Sequence, residues 1–157
     1  MAASDRTGTQ RQKRDITVAQ LHLARELESP SVLRWASVVL DGERAGPAAL
    51  SITFLSERAM RALNGRALGH DRVTDVIAFR FEHLDAIAGD IYVCPVAARR
   101  SAHEAGISPL EELLRLVVHG VLHVLGHDHP DDASRTASSM WKLQERYVQR
   151  LKDVQDR

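Results

Sequence analysis

Cysteine, aromatic residues and net charge are all scarce in this chain of 157 residues. The single cysteine, Cys94, excludes an internal disulfide and indicates a reducing compartment. Two Trp, two Tyr and three Phe are too few for the stacking platform of a sheet that binds single strands. Lys and Arg number 21, as do Asp and Glu, so the net charge of zero argues against binding of polyanions by bulk charge and leaves room only for a local basic patch.

Long apolar runs are also missing. No stretch reaches the roughly 18 apolar residues of a membrane helix, and the first residues lack the apolar centre of a secretory signal. We therefore expect a soluble, cytoplasmic protein with no membrane and no disulfide partner. Residues 1–15 are polar and mixed in charge, which predicts a disordered tail. Residues 16–157 have the length of one domain, and the 44% of hydrophobic residues in the chain suffices for a core.

Apolar periodicity predicts an α+β fold: a small four-stranded mixed sheet packed by about five helices, one of which carries a histidine cluster. Strands are predicted from Ile16, from Leu50 to Phe54, from Asp75 to Phe81 and from Gly89 to Cys94. Helices are predicted from Ser31 to Leu40, from the Ser56 cap to Asn64, from Pro95 to Ala105, from Leu110 to Leu125, and from a cap at Asp131 or Asp132 through Leu151. The stretch from Gly65 to Val73 contains two glycines and no apolar period, which predicts a loop.

Four of the eight histidines fall within residues 119–129. His119 and His123 are four residues apart in a predicted helix, so both imidazoles share one face and can bind one metal ion. Gly126 can end the helix in a left-handed conformation, which would bring His129 back as a third ligand. Three nitrogen ligands with an open fourth position are typical of a catalytic zinc ion, with a metal-bound water as the nucleophile. His127 is expected to point elsewhere.

The same spacing occurs in the H-E-x-x-H-x-x-G-x-x-H metalloproteases, whose glutamate is the general base. Gly120 stands at that position, which makes peptide hydrolysis the less favoured chemistry. Asp128 has two alternatives. It could orient an imidazole or accept a proton from the metal water, or it could be a turn residue.

The segment from His119 to His129 (HGVLHVLGHDH) resembles the H-G-x-L-H-x-x-G-[YH]-D-H signature of the YbeY-type rRNA maturation endoribonucleases. Leu63-Asn64, residues 74–77 with Phe79, and residues 89–91 agree as well, so the resemblance extends from about Leu50 to Tyr147. It implies a zinc-dependent, single-strand-specific endoribonuclease of the bacterial cytoplasm, which acts in 16S rRNA 3′-end maturation and ribosome quality control. The implied partners are single-stranded rRNA and ribosomal particles. One zinc ion per chain would be bound by three ligands, His119, His123 and His129.

Two segments depart from the family pattern. Leu68 stands where the family usually has an arginine, and Arg66 and Arg72 either replace its phosphate contact or are solvated surface residues. The family's Ser-Phe-Pro pattern becomes Ala78-Phe79-Arg80, which removes a hydroxyl and adds positive charge near the proposed site.

Arg115 lies one turn before His119 and is a further candidate for substrate binding. It either anchors a phosphate or pairs with Glu111 or Glu112, and the helical spacing slightly favours the pairing. Three functions thus remain open. They are a metal-dependent endoribonuclease, a metal-dependent hydrolase of another substrate such as peptides, and a non-catalytic ribosome-biogenesis factor with a structural zinc.

Overall fold

The computed structural model describes residues 13–82 and 85–155, which contain one four-stranded sheet. The sheet consists of β1 (Arg14–Ala19), β2 (Ala48–Phe54), β3 (Val76–Phe81) and β4 (Ile87–Val93). Its strand order is β1-β2-β4-β3. Both β1 and β4 run parallel to β2, whereas β3 pairs antiparallel with β4 at the edge of the sheet. The predicted mixed sheet is confirmed.

Five α-helices surround this sheet in the described residues. They are α1 (Ser29–Gly42), α2 (Glu57–Leu68), α3 (Pro95–Ala105), α4 (Pro109–Val124) and α5 (Ser139–Gln155). Serine caps begin two of them, because Ser56 accepts a hydrogen bond from Ala59 N and Ser108 accepts one from Glu111 N. Short 3-10 helices cover Leu21–Leu23 and Ala133–Ala137. The predicted α+β class is confirmed, and no described helix has the length and apolar character needed to cross a membrane.

Helix α4 is the central element because it contacts α1, α3, α5, β3 and β4. Its approach to the sheet requires glycine at two places. A Cβ on Gly120 would lie 2.5 Å from Ile91 Cγ2, and a Cβ on Gly89 of β4 would lie 2.6 Å from Val124 Cγ1. The C-terminal half of α4 is therefore packed against the backbone of β4, which holds the following turn in place.

Several predicted boundaries are wrong. Strand β1 begins at Arg14, so the predicted tail of residues 1–15 ends too late; residues 1–12 of that tail lie outside the described residues. The Arg14 guanidinium fixes this start by donating to the carbonyl oxygens of Ala45 and Gly46.

Helix α2 continues through the predicted loop as far as Leu68 and is ended by Gly69, whose φ is 70°. Asp132 caps the second 3-10 helix instead of α5.

Candidate metal centre

Three histidines of the predicted cluster meet at the end of α4. Their ring centroids lie 4.5 Å apart for His119 and His123, 5.1 Å for His119 and His129, and 5.0 Å for His123 and His129. One ring nitrogen of each lies within 4.8 Å of the others. The structure thus brings together the three predicted ligands, named below the histidine triad, and they could hold a metal ion.

The turn after α4 brings His129 back to the other two. Gly126 has a φ of 97°, in the left-handed region where a β-carbon is unfavourable. The reversal is fixed by hydrogen bonds from Gly126 N to His123 O (2.9 Å) and from His127 N to Leu122 O (3.0 Å). A helix end of this kind accounts for the spacing of His123 and His129, which are six residues apart.

Hydrogen bonds orient two of the three rings. Gln144 of α5 is 1% exposed, and its Oε1 lies 2.7 Å from His119 Nδ1. The Pro130 carbonyl oxygen lies 2.9 Å from His129 Nδ1. Because both oxygens are acceptors, each Nδ1 carries the proton and each Nε2 keeps its lone pair for a cation.

Burial keeps His119 and His123 uncharged. It lowers the pKa of His119 to about 3, against the effect of the Gln144 hydrogen bond, which raises it. Burial also lowers the pKa of His123, and the nearby His129 lowers it further. Both imidazoles are therefore neutral near pH 7, in the form that binds metal ions.

The geometry of the triad fits a tetrahedral metal ion. His123 Nε2 and His129 Nε2 lie 3.2 Å apart. Zinc–nitrogen bonds of about 2.05 Å give a tetrahedral nitrogen–nitrogen edge of roughly 3.3 Å, which the observed separation matches. Imidazole nitrogens suit zinc among the divalent metals. The cluster contains three ligands within residues 13–82 and 85–155, so the protein leaves a fourth position open.

His127 points away from the triad, as expected. Its Nε2 lies 2.9 Å from Glu43 Oε2 at the end of α1, and the other oxygen of Glu43 accepts a hydrogen bond of 2.7 Å from the Tyr147 hydroxyl. Burial and the Glu43 carboxylate raise the pKa of Tyr147 to about 12. This contact ties the turn after α4 to α1 and α5.

The structure separates the alternatives for Asp128 and Arg115. Asp128 is exposed, and its Oδ1 accepts a hydrogen bond of 2.8 Å from His129 N, as in a turn. Arg115 makes ion pairs with three carboxylates, namely Glu111 (3.1 Å), Glu112 (3.0 Å) and Glu145 (2.7 Å). The predicted pairing of Arg115 is confirmed, and the three ion pairs hold its guanidinium between α4 and α5.

Arg66 and Arg72 are both exposed. Arg66 lies in the last turn of α2 and lines a surface groove with Arg58 and Arg61. The Arg72 carbonyl oxygen accepts a hydrogen bond of 3.0 Å from Asn64 Nδ2, which holds the segment after α2 against that helix. Neither guanidinium has a hydrogen-bond partner in the part of the chain that the structure describes, so each is free to bind an anion. Leu68, between them in sequence, is 50% exposed.

Sequence reasoning missed two residues near the triad. Gln144 stands in the apolar stripe of α5 between Met140 and Tyr147, and a polar residue there was the signal that could have found it. Arg135 lies in the 3-10 helix that precedes α5, and its charge lowers the pKa values of His119 and His123. Its place in the fold follows from the turn at Gly126 and has no signal in the sequence.

Comparisons with known proteins agree with this arrangement. The sequence profile of the family described as Endoribonuclease YbeY matches residues 15–152. An Endoribonuclease YbeY of Frankia alni is 35% identical over 149 residues, which cover 85% of this chain and 80% of the relative. One of Chloroherpeton thalassium is 32% identical over 126 residues, which cover 80% of this chain and 88% of the relative.

A solved structure has the same fold. The solution structure of TM1509 from Thermotoga maritima matches with a TM-score of 0.57 and 29% sequence identity, over 88% of each chain. The family profile covers nearly all of the described residues, including the histidine triad and both glycines at which α4 meets the sheet. The chain therefore belongs to the Endoribonuclease YbeY family.

Proposed function

We propose that this protein is a zinc-dependent, single-strand-specific endoribonuclease that acts on ribosomal RNA in the cytoplasm. Its role would be 16S rRNA 3′-end maturation and ribosome quality control, on ribosomal particles. The observation that carries the proposal is the histidine triad, whose nitrogens fit one metal ion and leave its fourth position open. The names of the relatives, Endoribonuclease YbeY, support RNA as the substrate class.

His119, His123 and His129 would hold the ion, which would supply a Lewis acid to the phosphodiester when bound. The chain's own contribution is orientation. Gln144 orients His119 and the Pro130 carbonyl orients His129, while burial keeps His119 and His123 uncharged. Arg66 and Arg72, which have no partner among the described residues, would contact substrate phosphates.

Peptide hydrolysis is the weaker alternative, because the glutamate that metalloproteases place after the first histidine is replaced by Gly120. The replacement has a steric reason. A Cβ at Gly120 would lie 2.5 Å from Ile91 Cγ2 and 3.2 Å from Cγ1, so a glutamate would push α4 off β4. The close packing of α4 on β4 therefore leaves no space for a glutamate side chain at position 120.

The test is cleavage of a single-stranded fragment of the 16S rRNA 3′ region, compared with the same fragment annealed to its complement. We expect the wild-type protein to cleave the single strand and spare the duplex, and His123→Ala to cleave neither. A protein that binds zinc and rRNA but cleaves no fragment would instead be a ribosome-biogenesis factor with a structural zinc.

A further inference from the structure

Arg135 follows His129 of the triad by six residues and contacts α5. Its guanidinium carbon is 5.8 Å from the centroid of the Trp141 ring, within the range of a cation–π contact. Trp141 precedes Gln144 by three residues in α5, so both side chains lie on one side of that helix. Gln144 in turn holds His119. The contact with Trp141 thus places the guanidinium on the side of α5 that carries Gln144.

The Arg135 side chain has a buried donor without an acceptor. Its Nε is the single buried side-chain nitrogen or oxygen that lacks a hydrogen-bond partner within residues 13–82 and 85–155. An unsatisfied buried donor is destabilising, and a charged one more so. The residue as a whole is partly exposed, so Arg135 lies at the protein surface with its Nε covered.

The charges around Arg135 favour an anion from outside the chain. Arg135 follows His129 of the triad by six residues, and it contacts α5, the helix whose Gln144 is hydrogen-bonded to His119. Burial raises the pKa of Asp75 and the charge of Arg135 lowers it, yet the two side chains form no ion pair within residues 13–82 and 85–155. A metal ion in the triad would be a second positive charge beside that of Arg135. A phosphodiester bound between the metal ion and the guanidinium would reduce their repulsion.

We propose that Arg135 binds a phosphate of the RNA substrate beside the histidine triad, with Trp141 holding the guanidinium in position. The inference rests on the proposed function and assigns a substrate contact to a residue of the 3-10 helix Ala133–Ala137. Arginine suits this role because its planar fork of donors can bind a phosphate through two hydrogen bonds while its face stacks on an indole.

The test compares Arg135→Gln and Arg135→Lys with the wild-type protein. A matched control is Arg34→Gln, which removes the same charge from an exposed position on α1. Fluorescence anisotropy gives the Kd of the metal-depleted proteins for a single-stranded rRNA fragment at several salt concentrations. Zinc content, melting temperature and the KM for cleavage are measured on the zinc-loaded proteins.

We expect Arg135→Gln to weaken RNA binding about tenfold and to reduce the slope of log Kd against log salt by about 0.7, the value for one lost phosphate contact on a single strand. Arg135→Lys should recover part of the affinity, because it keeps the charge and loses the stacked fork. Both variants should keep their zinc, and Arg34→Gln should bind RNA as the wild type does.

Unchanged Kd, salt slope and KM in Arg135→Gln would overturn the inference while leaving the endoribonuclease activity in place. If Arg135→Gln melts lower or loses zinc, the anisotropy measurement still decides, because it is made on metal-depleted protein below the melting temperature. An unchanged Kd and salt slope there would overturn the inference. A wild-type protein that neither binds nor cleaves the fragment would overturn the proposed function, and this inference with it.

Discussion

At the scale of single residues, the spacing of three histidines predicts the site well. Two positions four apart in a helix share a face, and a glycine at the helix end permits the reversal that returns His129. The partners of these rings could not be predicted in the same way. Arg135 reaches the triad through a 3-10 helix whose path depends on tertiary packing, and periodicity carries no information about it.

The first prediction separates His129 from its neighbour His127. His129→Ala should lose most of the bound zinc and melt at a lower temperature, because a bound metal stabilises only the folded state. His127→Ala should keep its zinc, since that ring contacts Glu43. Metal analysis of both purified variants checks this. Full zinc in His129→Ala, or its loss in His127→Ala, would be incompatible with the proposed ligand set.

At the scale of elements, the sequence identifies each helix and strand and misplaces several ends. Helix α2 runs four residues past its predicted end at Asn64, because a glycine inside a helix is tolerated where the following residues continue it. Helix α5 starts late because Asp132 caps a separate 3-10 helix first. Local capping patterns mark a beginning, and they do not tell which of two successive helices begins there.

The second prediction concerns the end of α2, where Leu68 replaces the family's usual arginine. If Arg66 or Arg72 supplies the phosphate contact, alanine at that position should weaken RNA cleavage severalfold with zinc and folding intact, and Leu68→Arg should add little. If the contact is missing, Leu68→Arg should raise cleavage and neither alanine variant should lower it. Parallel rates for the three variants on one single-stranded RNA decide between the two. We expect compensation, because both guanidinium groups lack partners in the described residues.

The third prediction concerns α5 as the support of the metal centre. Gln144→Leu keeps the size of the side chain and removes the acceptor for His119 Nδ1, so zinc affinity should fall about 10-fold to 100-fold. Gln144→Glu keeps an acceptor and should retain most of the affinity. Competition with a chelating dye measures both values. Gln149→Leu, at an exposed position of the same helix, is the control, and equal affinities for all four proteins would show that α5 does not orient the ligand.

At the scale of the whole molecule, composition and periodicity suffice for the α+β class and the mixed sheet. The order β1-β2-β4-β3 could not be derived from them, because strand pairing depends on long-range contacts such as those of α4 with both β3 and β4. Helix α4 approaches β4 closely at Gly120 and Gly89, so the helix that carries His119 and His123 also forms the centre of the core. The metal centre is therefore coupled to global stability.

The fourth prediction follows from the lowered pKa of His119 in the metal-free protein. The folded value is about 3 and the ordinary value 6.5, so the unfolded chain binds more protons between these limits. The stability due to the neutral ring is present above pH 6.5 and is lost as the pH falls towards 3. Urea unfolding of the metal-free wild type and of His119→Gln between pH 7 and pH 4 isolates this effect. The wild type should lose more stability than the variant, and parallel pH profiles would contradict the prediction.

The most direct test of the central claim is a zinc titration of metal-depleted protein, with the rate of cleavage of a single-stranded rRNA fragment as the readout. We expect negligible cleavage by the depleted protein, recovery that saturates at one zinc ion per chain, and no recovery by His123→Ala. Full cleavage by the depleted protein, or recovery by His123→Ala at the same zinc concentration, would contradict it.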